Sequence, residues 1–130
     1  MTRRSALGAA LAALALPAAA CPLTAADGAR IDGEVLQVAW AVEGGGTLEA
    51  GRHFALRVRA CPADAELRRV DATMPAHRHG MNYRPQIEPL GPGLWRVQGL
   101  MFHMSGAWEL QLDLRRGGRT QTLRQAIDLP

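Results

Sequence analysis

The sequence predicts an all-β chain, an immunoglobulin-like β-sandwich of about seven strands. Three observations predict it. Apolar residues recur at every second position in run after run. Clusters of Gly, Pro and Asn punctuate those runs at short spacing. No stretch beyond residue 20 carries a helical apolar period. A small closed barrel is the alternative architecture for the same pattern.

Each element follows from local residues. Leu36, Val38, Trp40 and Val42 alternate with Gln37, Ala39 and Ala41, and Gly44-Gly45-Gly46 ends that run. Phe54, Leu56, Val58 and Ala60 alternate with Arg57 and Arg59 until Pro62, which cannot continue a sheet ladder. Val70, Ala72 and Met74 alternate with Arg69, Asp71 and Thr73 until Pro75. Residues 75–85, rich in Pro, Gly and Asn, are expected as a loop or irregular edge. Gly91-Pro92-Gly93 is a turn, and Leu94 to His103 a long strand in which Gly99 invites a bulge. Ser105-Gly106 turns the chain into Trp108, Leu110, Leu112 and Leu114, the cleanest alternation present. Gly117-Gly118 predicts a hairpin into a last strand through Leu123, Ile127 and Leu129. Trp40, Trp108 and Trp95 are candidates for the centre of the core.

Residues 1–20 read as an export signal, leaving 21–130 as a single domain. Arg3 and Arg4 form a basic start, the apolar stretch 7–20 is too short to span a bilayer, and Ala18 and Ala20 suit cleavage before Cys21. The paired arginines also resemble a twin-arginine signal. A periplasmic location and no stable membrane span are therefore expected. Cleavage removes two of the 15 basic residues and none of the 12 acidic ones, so net charge falls from +3 to +1. No basic stripe with interleaved aromatics remains, which argues against nucleic acid as a partner.

The two cysteines, Cys21 and Cys61, are read in an oxidising compartment, and three readings stay open. They form a disulfide, or Cys21 is a lipidated first residue, or a later cut discards Cys21 and leaves Cys61 free. Neither sits in a C-x-x-C pattern, so thioredoxin-type chemistry and covalent haem are not expected.

Chemistry concentrates at residues 74–85, MPAHRHGMNYRP, and at Met101-Phe102-His103-Met104. Two of the chain's four histidines, His77 and His79, stand two residues apart between Met74 and Met81. Imidazole suits copper in either oxidation state, and thioether sulfur favours Cu(I) over Zn²⁺ or Mg²⁺. In an extended segment, positions i and i+2 point the same way, so His77 and His79 could chelate one ion. Gly80 allows a sharp turn that brings Met81 back as a third ligand. His103 and Met104, before a turn at a sandwich end, are candidates to complete the site. Met74, ending an alternating apolar face, is read as core. A bulge at Gly99 points Leu100, Phe102 and Met104 inward and His103 outward. Without it, Met101 and His103 share a face opposite Met104. His53 reads as a surface histidine. Asp71 either orients a histidine or pairs with a nearby arginine. Binding needs neutral imidazole, so acid is expected to weaken it.

Residues 71–81, DATMPAHRHGM, followed by 99–110, GLMFHMSGAWEL, resemble the YtkA-like domain family and the related FixH-like domains. The resemblance covers roughly residues 34–115. It implies an exported immunoglobulin-like sandwich with an association with copper handling or cytochrome oxidase maturation. Its pattern falls on Met74, His77, His79 and Met81, then on Phe102, Met104, Gly106 and Trp108. Phe102, Gly106 and Trp108 look architectural. Ser105 stands where proline is common in the pattern, which is expected to loosen that turn. His103 is not demanded by the pattern.

The function expected is a periplasmic copper chaperone or buffer, with His77, His79, Met81, His103 and Met104 as ligands. Its cofactor or cargo is copper, Cu(I) favoured, and its partner a copper-receiving periplasmic or membrane protein. The alternative is a metal-free interaction module whose loop offers Arg78, Tyr83 and Arg84 to a protein. No Ser-His-Asp spacing, phosphate-binding glycine loop or close carboxylate pair is present. Catalytic residues are accordingly not expected, and the chain is read as a non-enzyme.

Overall fold

The computed structural model describes Ala12 and residues 21–130. The expected export signal otherwise lies outside the described residues. Nine strands are seen among them. They are β1 (Ala29–Asp32), β2 (Gln37–Val42), β3 (His53–Cys61), β4 (Glu66–Met74), β5 (His79–Gly80), β6 (Gln86–Gly91), β7 (Leu94–Met101), β8 (Gly106–Arg116) and β9 (Arg119–Leu129). Two short 3₁₀ turns, Ala25–Asp27 and Glu43–Gly45, are the helical elements among the described residues. No described helix is long and apolar enough to cross a membrane.

The strands form two antiparallel sheets, β1-β2-β3-β7-β6 and β5-β4-β8-β9. Within them, β2-β3-β7-β6 over β4-β8-β9 is the A-B-E-D over C-F-G order of an immunoglobulin-like sandwich. Strand β5 extends the second sheet, and β1 extends the first. The six runs of apolar alternation are β2, β3, β4, β7, β8 and β9. The three further strands are edges: β1 has four residues, β5 two, and β6 carries Pro89. An edge strand with one short or exposed face has little alternation to display.

The alternating residues build the core. Val38, Trp40, Leu56, Val58, Trp95, Val97, Leu110, Leu112 and Leu114 are all buried in one cluster between the sheets. Each aliphatic side chain among them contributes about 1.5–3 kcal/mol by leaving water. Trp40 keeps its polar edge satisfied, its Nε1–H donating to Gln125 Oε1 at 2.8 Å. A second, smaller cluster of Ala72, Met74, Phe102, Trp108 and Leu129 closes one end. That end carries the histidines.

Cys21 and Cys61 are joined as a disulfide, Cα atoms 5.3 Å apart. It ties the segment ahead of β1 to the last residue of β3.

Candidate functional site

Two local devices bring the distant His-Met segments together. The first is a bulge. Phe54 pairs with Leu100 but Leu56 with Val97, so Gln98 and Gly99 stand against the single Ala55. Gly99 has φ +83°, a conformation that costs an L-residue with a Cβ about 1–2 kcal/mol. The bulge switches the inward parity: Trp95 and Val97 are buried before it, Leu100 and Phe102 after it. Strand β7 then ends at Met101, two residues short of the expected His103.

The second device is a hairpin that makes the start of the segment expected as a loop or irregular edge into a short edge strand. Residues Pro75–Arg78 turn, His77 N–H donates to Met74 O at 3.1 Å, and β5 pairs back on β4 with Met74 opposite His79 and Thr73 opposite Gly80. Arg78 sits at φ 53°, in the left-handed region. His77 and His79 are therefore not consecutive same-side residues of one extended segment. His77 is exposed at the turn, whereas His79 belongs to the strand. Residues paired across an antiparallel ladder share a face. Met74 is 1% exposed, in the core as its alternation requires, so His79 shares the inward side.

The result is an aromatic stack capped by imidazoles. Phe54 meets Phe102 at 5.0 Å between ring centres, and Phe102 stacks on Trp108 at 4.9 Å. Trp108 in turn meets His103 edge-on at 5.4 Å and His79 at 6.0 Å. His79 and His103 lie 5.0 Å apart, and His77 stacks over His79 at 5.7 Å. The Trp108 indole N–H donates to Met104 O at 2.9 Å, which pins the chain immediately after His103.

Polar satisfaction singles out two atoms. Among the described residues, three buried side-chain nitrogens or oxygens lack a hydrogen-bond partner. Two of the three are Nδ1 of His79 and Nδ1 of His103. Leaving a buried polar atom unpaired costs about 1–3 kcal/mol. Both nitrogens are free for a ligand.

The sulfur atoms are less committed. Met81 follows β5, its N–H donating to Ala72 O at 3.2 Å, and is half-buried against both core clusters. Met104 is half-buried against the end cluster. No three His, Cys, Asp or Glu side chains among the described residues are gathered as a ready-made ligand set.

Other residues take structural roles. Asp71 pairs with Arg69, and its Oδ1 accepts from Ala72 N–H at 2.8 Å, so it does not orient a histidine. The Ser105 hydroxyl donates to Pro130 O at 2.7 Å. His53 is exposed and meets Tyr83 edge-on at 4.9 Å.

Two features went unread in the sequence. Trp108 was legible as core, but its contact with both imidazoles was not, because the bulge and hairpin that create it are tertiary. A cleft of about 410 Å³ beside β4 is lined in part by Arg68, Arg69, Asp71, Met81, Tyr83 and Arg84. Tyr83 and Arg84 of its lining were legible as an exposed loop, and the Arg68-Arg69 doublet inside a strand was the further local signal.

Comparison with known proteins returns no match, whether to a family model, a curated protein or a solved structure.

Proposed function

We propose that this protein is an exported, YtkA-like copper carrier or buffer that holds Cu(I) at the imidazole-capped end of the sandwich. One observation carries the reading. The Nδ1 atoms of His79 and His103 are buried and unpartnered, on rings 5.0 Å apart. Copper accepts imidazole in either oxidation state, and methionine sulfur tilts the preference to Cu(I). Met81, two residues beyond His79, and Met104, beside His103, are the available soft donors. His77 at the exposed turn is the group a copper-receiving partner reaches first, which suits transfer by ligand exchange. With no ready-made ligand set among the described residues, capture draws on a thioether or on a small movement of the turn.

The test is Cu(I) titration of the protein against a competing chromophoric chelator, anaerobically, with a reductant that spares the disulfide. One equivalent is expected to bind, with a change in Trp108 fluorescence. His77→Ala/His79→Ala and His103→Ala are each expected to weaken it by about a hundredfold or more. No competition by the wild-type protein would overturn the proposal.

One observation favours a second reading, a metal-free interaction module. Tyr83 is 45% exposed at the rim of the arginine-lined cleft, a large apolar surface placed beside cationic groups. That reading expects little Cu(I) binding in wild type and variants alike.

A further inference from the structure

The sandwich has four sheet edges, and three are blunted in ways that prevent a further strand from pairing. Strand β1 is four residues long. Strand β6 contains Pro89 and a register shift beside it. In the four-stranded sheet, β5 is two residues long, and the uncovered part of β4 carries a bulge between Leu67 and Arg69. Strand β9 is different. It runs eleven residues in unbroken register with β8, with no proline inside it.

The free groups on β9 can be assigned from its hairpin. The two-residue turn Gly117-Gly118 makes Arg116 and Arg119 the closing pair, and hydrogen-bonded pairs alternate from there. Thr120, Thr122, Arg124, Ala126 and Asp128 therefore direct their N–H and C=O groups away from β8. The first half of this edge is flanked: Gly33 lies against Gln121 and Leu123. The half from Arg124 onward has no backbone partner on that side among the described residues, and Arg124, Ala126 and Asp128 are exposed on the outer face.

We infer that the open half of β9 pairs antiparallel with β9 of a second copy of this chain, about a two-fold axis at Ala126. The charges favour that register. It sets Arg124, whose Nε also pairs with Glu109 Oε1 of its own β8 at 3.3 Å, opposite Asp128 of the second copy, and by symmetry Asp128 opposite Arg124, with the small Ala126 facing itself. Directly opposed opposite charges stabilise a sheet pair, and like charges destabilise it. Other registers that match outward groups to outward groups lose both pairs, and one sets the two Arg124 side chains against each other. Pro130, which lacks an N–H, ends the ladder. The two four-stranded sheets become one eight-stranded sheet across the dimer.

Sedimentation equilibrium across a wide concentration range tests this, with circular dichroism confirming that each variant folds. The wild-type protein is expected to dimerise reversibly. Ala126→Pro removes an N–H that β8 does not use, so it is expected to fold and stay monomeric. Asp128→Arg opposes arginine to arginine, and Arg124→Asp opposes aspartate to aspartate. Each alone is expected to weaken the dimer about tenfold or more. Mixed, the two variants restore both opposite-charge pairs and are expected to form a heterodimer. A wild-type protein monomeric throughout, a dimer indifferent to Ala126→Pro, or a mixture that fails to associate while the wild type does would each overturn the inference.

Discussion

Met74 shows how one residue can look like a ligand and be something else. It stands three residues from His77 in a His-Met segment, yet it is fully buried under the imidazoles, at 1% exposure. Its thioether fills the end cluster beside Ala72, Phe102, Trp108 and Leu129. Truncating it leaves a cavity directly beneath the site. Met74→Ala is expected to lower unfolding free energy by about 2–5 kcal/mol, read from the midpoint of a urea transition. A loss below 1 kcal/mol would mean that the end cluster collapses into the gap. His79 and His103 are the opposite case. Their rings are half-buried and their Nδ1 atoms unpaired, so replacing either is expected to affect Cu(I) binding far more than folding.

At the scale of elements, the bulge in β7 decides where His103 goes. It places two residues against Ala55 and flips the parity through Phe102; past the strand's end at Met101, His103 turns against Trp108 rather than outward, and Met104 is half-buried rather than core. Gly99→Ala keeps the register only by holding an alanine at φ +83°. The substitution is expected to cost about 1–2 kcal/mol of stability, measured by urea unfolding. Weaker Cu(I) binding in the same variant would show that His103 placement depends on the bulge; unchanged binding would separate the two. The β4–β5 hairpin is the matching device for His79. Four turn residues and two ladder pairs carry it, so its geometry rests on Met74 and Thr73 being held by the sheet beneath.

The disulfide acts on the whole molecule. It closes a separation of 40 residues, and such a cross-link stabilises mainly by restricting the unfolded chain. Cys21→Ser/Cys61→Ser is expected to lower stability by up to about 4 kcal/mol, seen as a lower thermal midpoint, with the fold retained by circular dichroism. The large core fills the space between the sheets. One end stacks Phe54, Phe102 and Trp108 beneath three imidazoles.

The sequence by itself determined the all-β class, the six long strands and, up to Gly99, their inward faces. Period-two alternation is a local record of which side is buried, and Leu110, Leu112 and Leu114 carry it without interruption. It also marked the His-Met segments, because residue type alone decides which atoms can hold a soft metal. The edge strands β1 and β6 were not legible, and β5 only as a loop or irregular edge, since a short or exposed edge leaves no alternation to read. Only tertiary structure decided how the candidate site is put together. The sequence left both parities open after Gly99, and the pairing of Phe54 with Leu100 closed that choice. The i, i+2 rule held His77 and His79 on one side of an extended segment. The turn through Arg78 separated them instead into an exposed ring and a strand ring, stacked by the fold. Contacts between residues 79, 103 and 108 depend on which strands become neighbours, and that follows from how the whole core packs rather than from any local stretch.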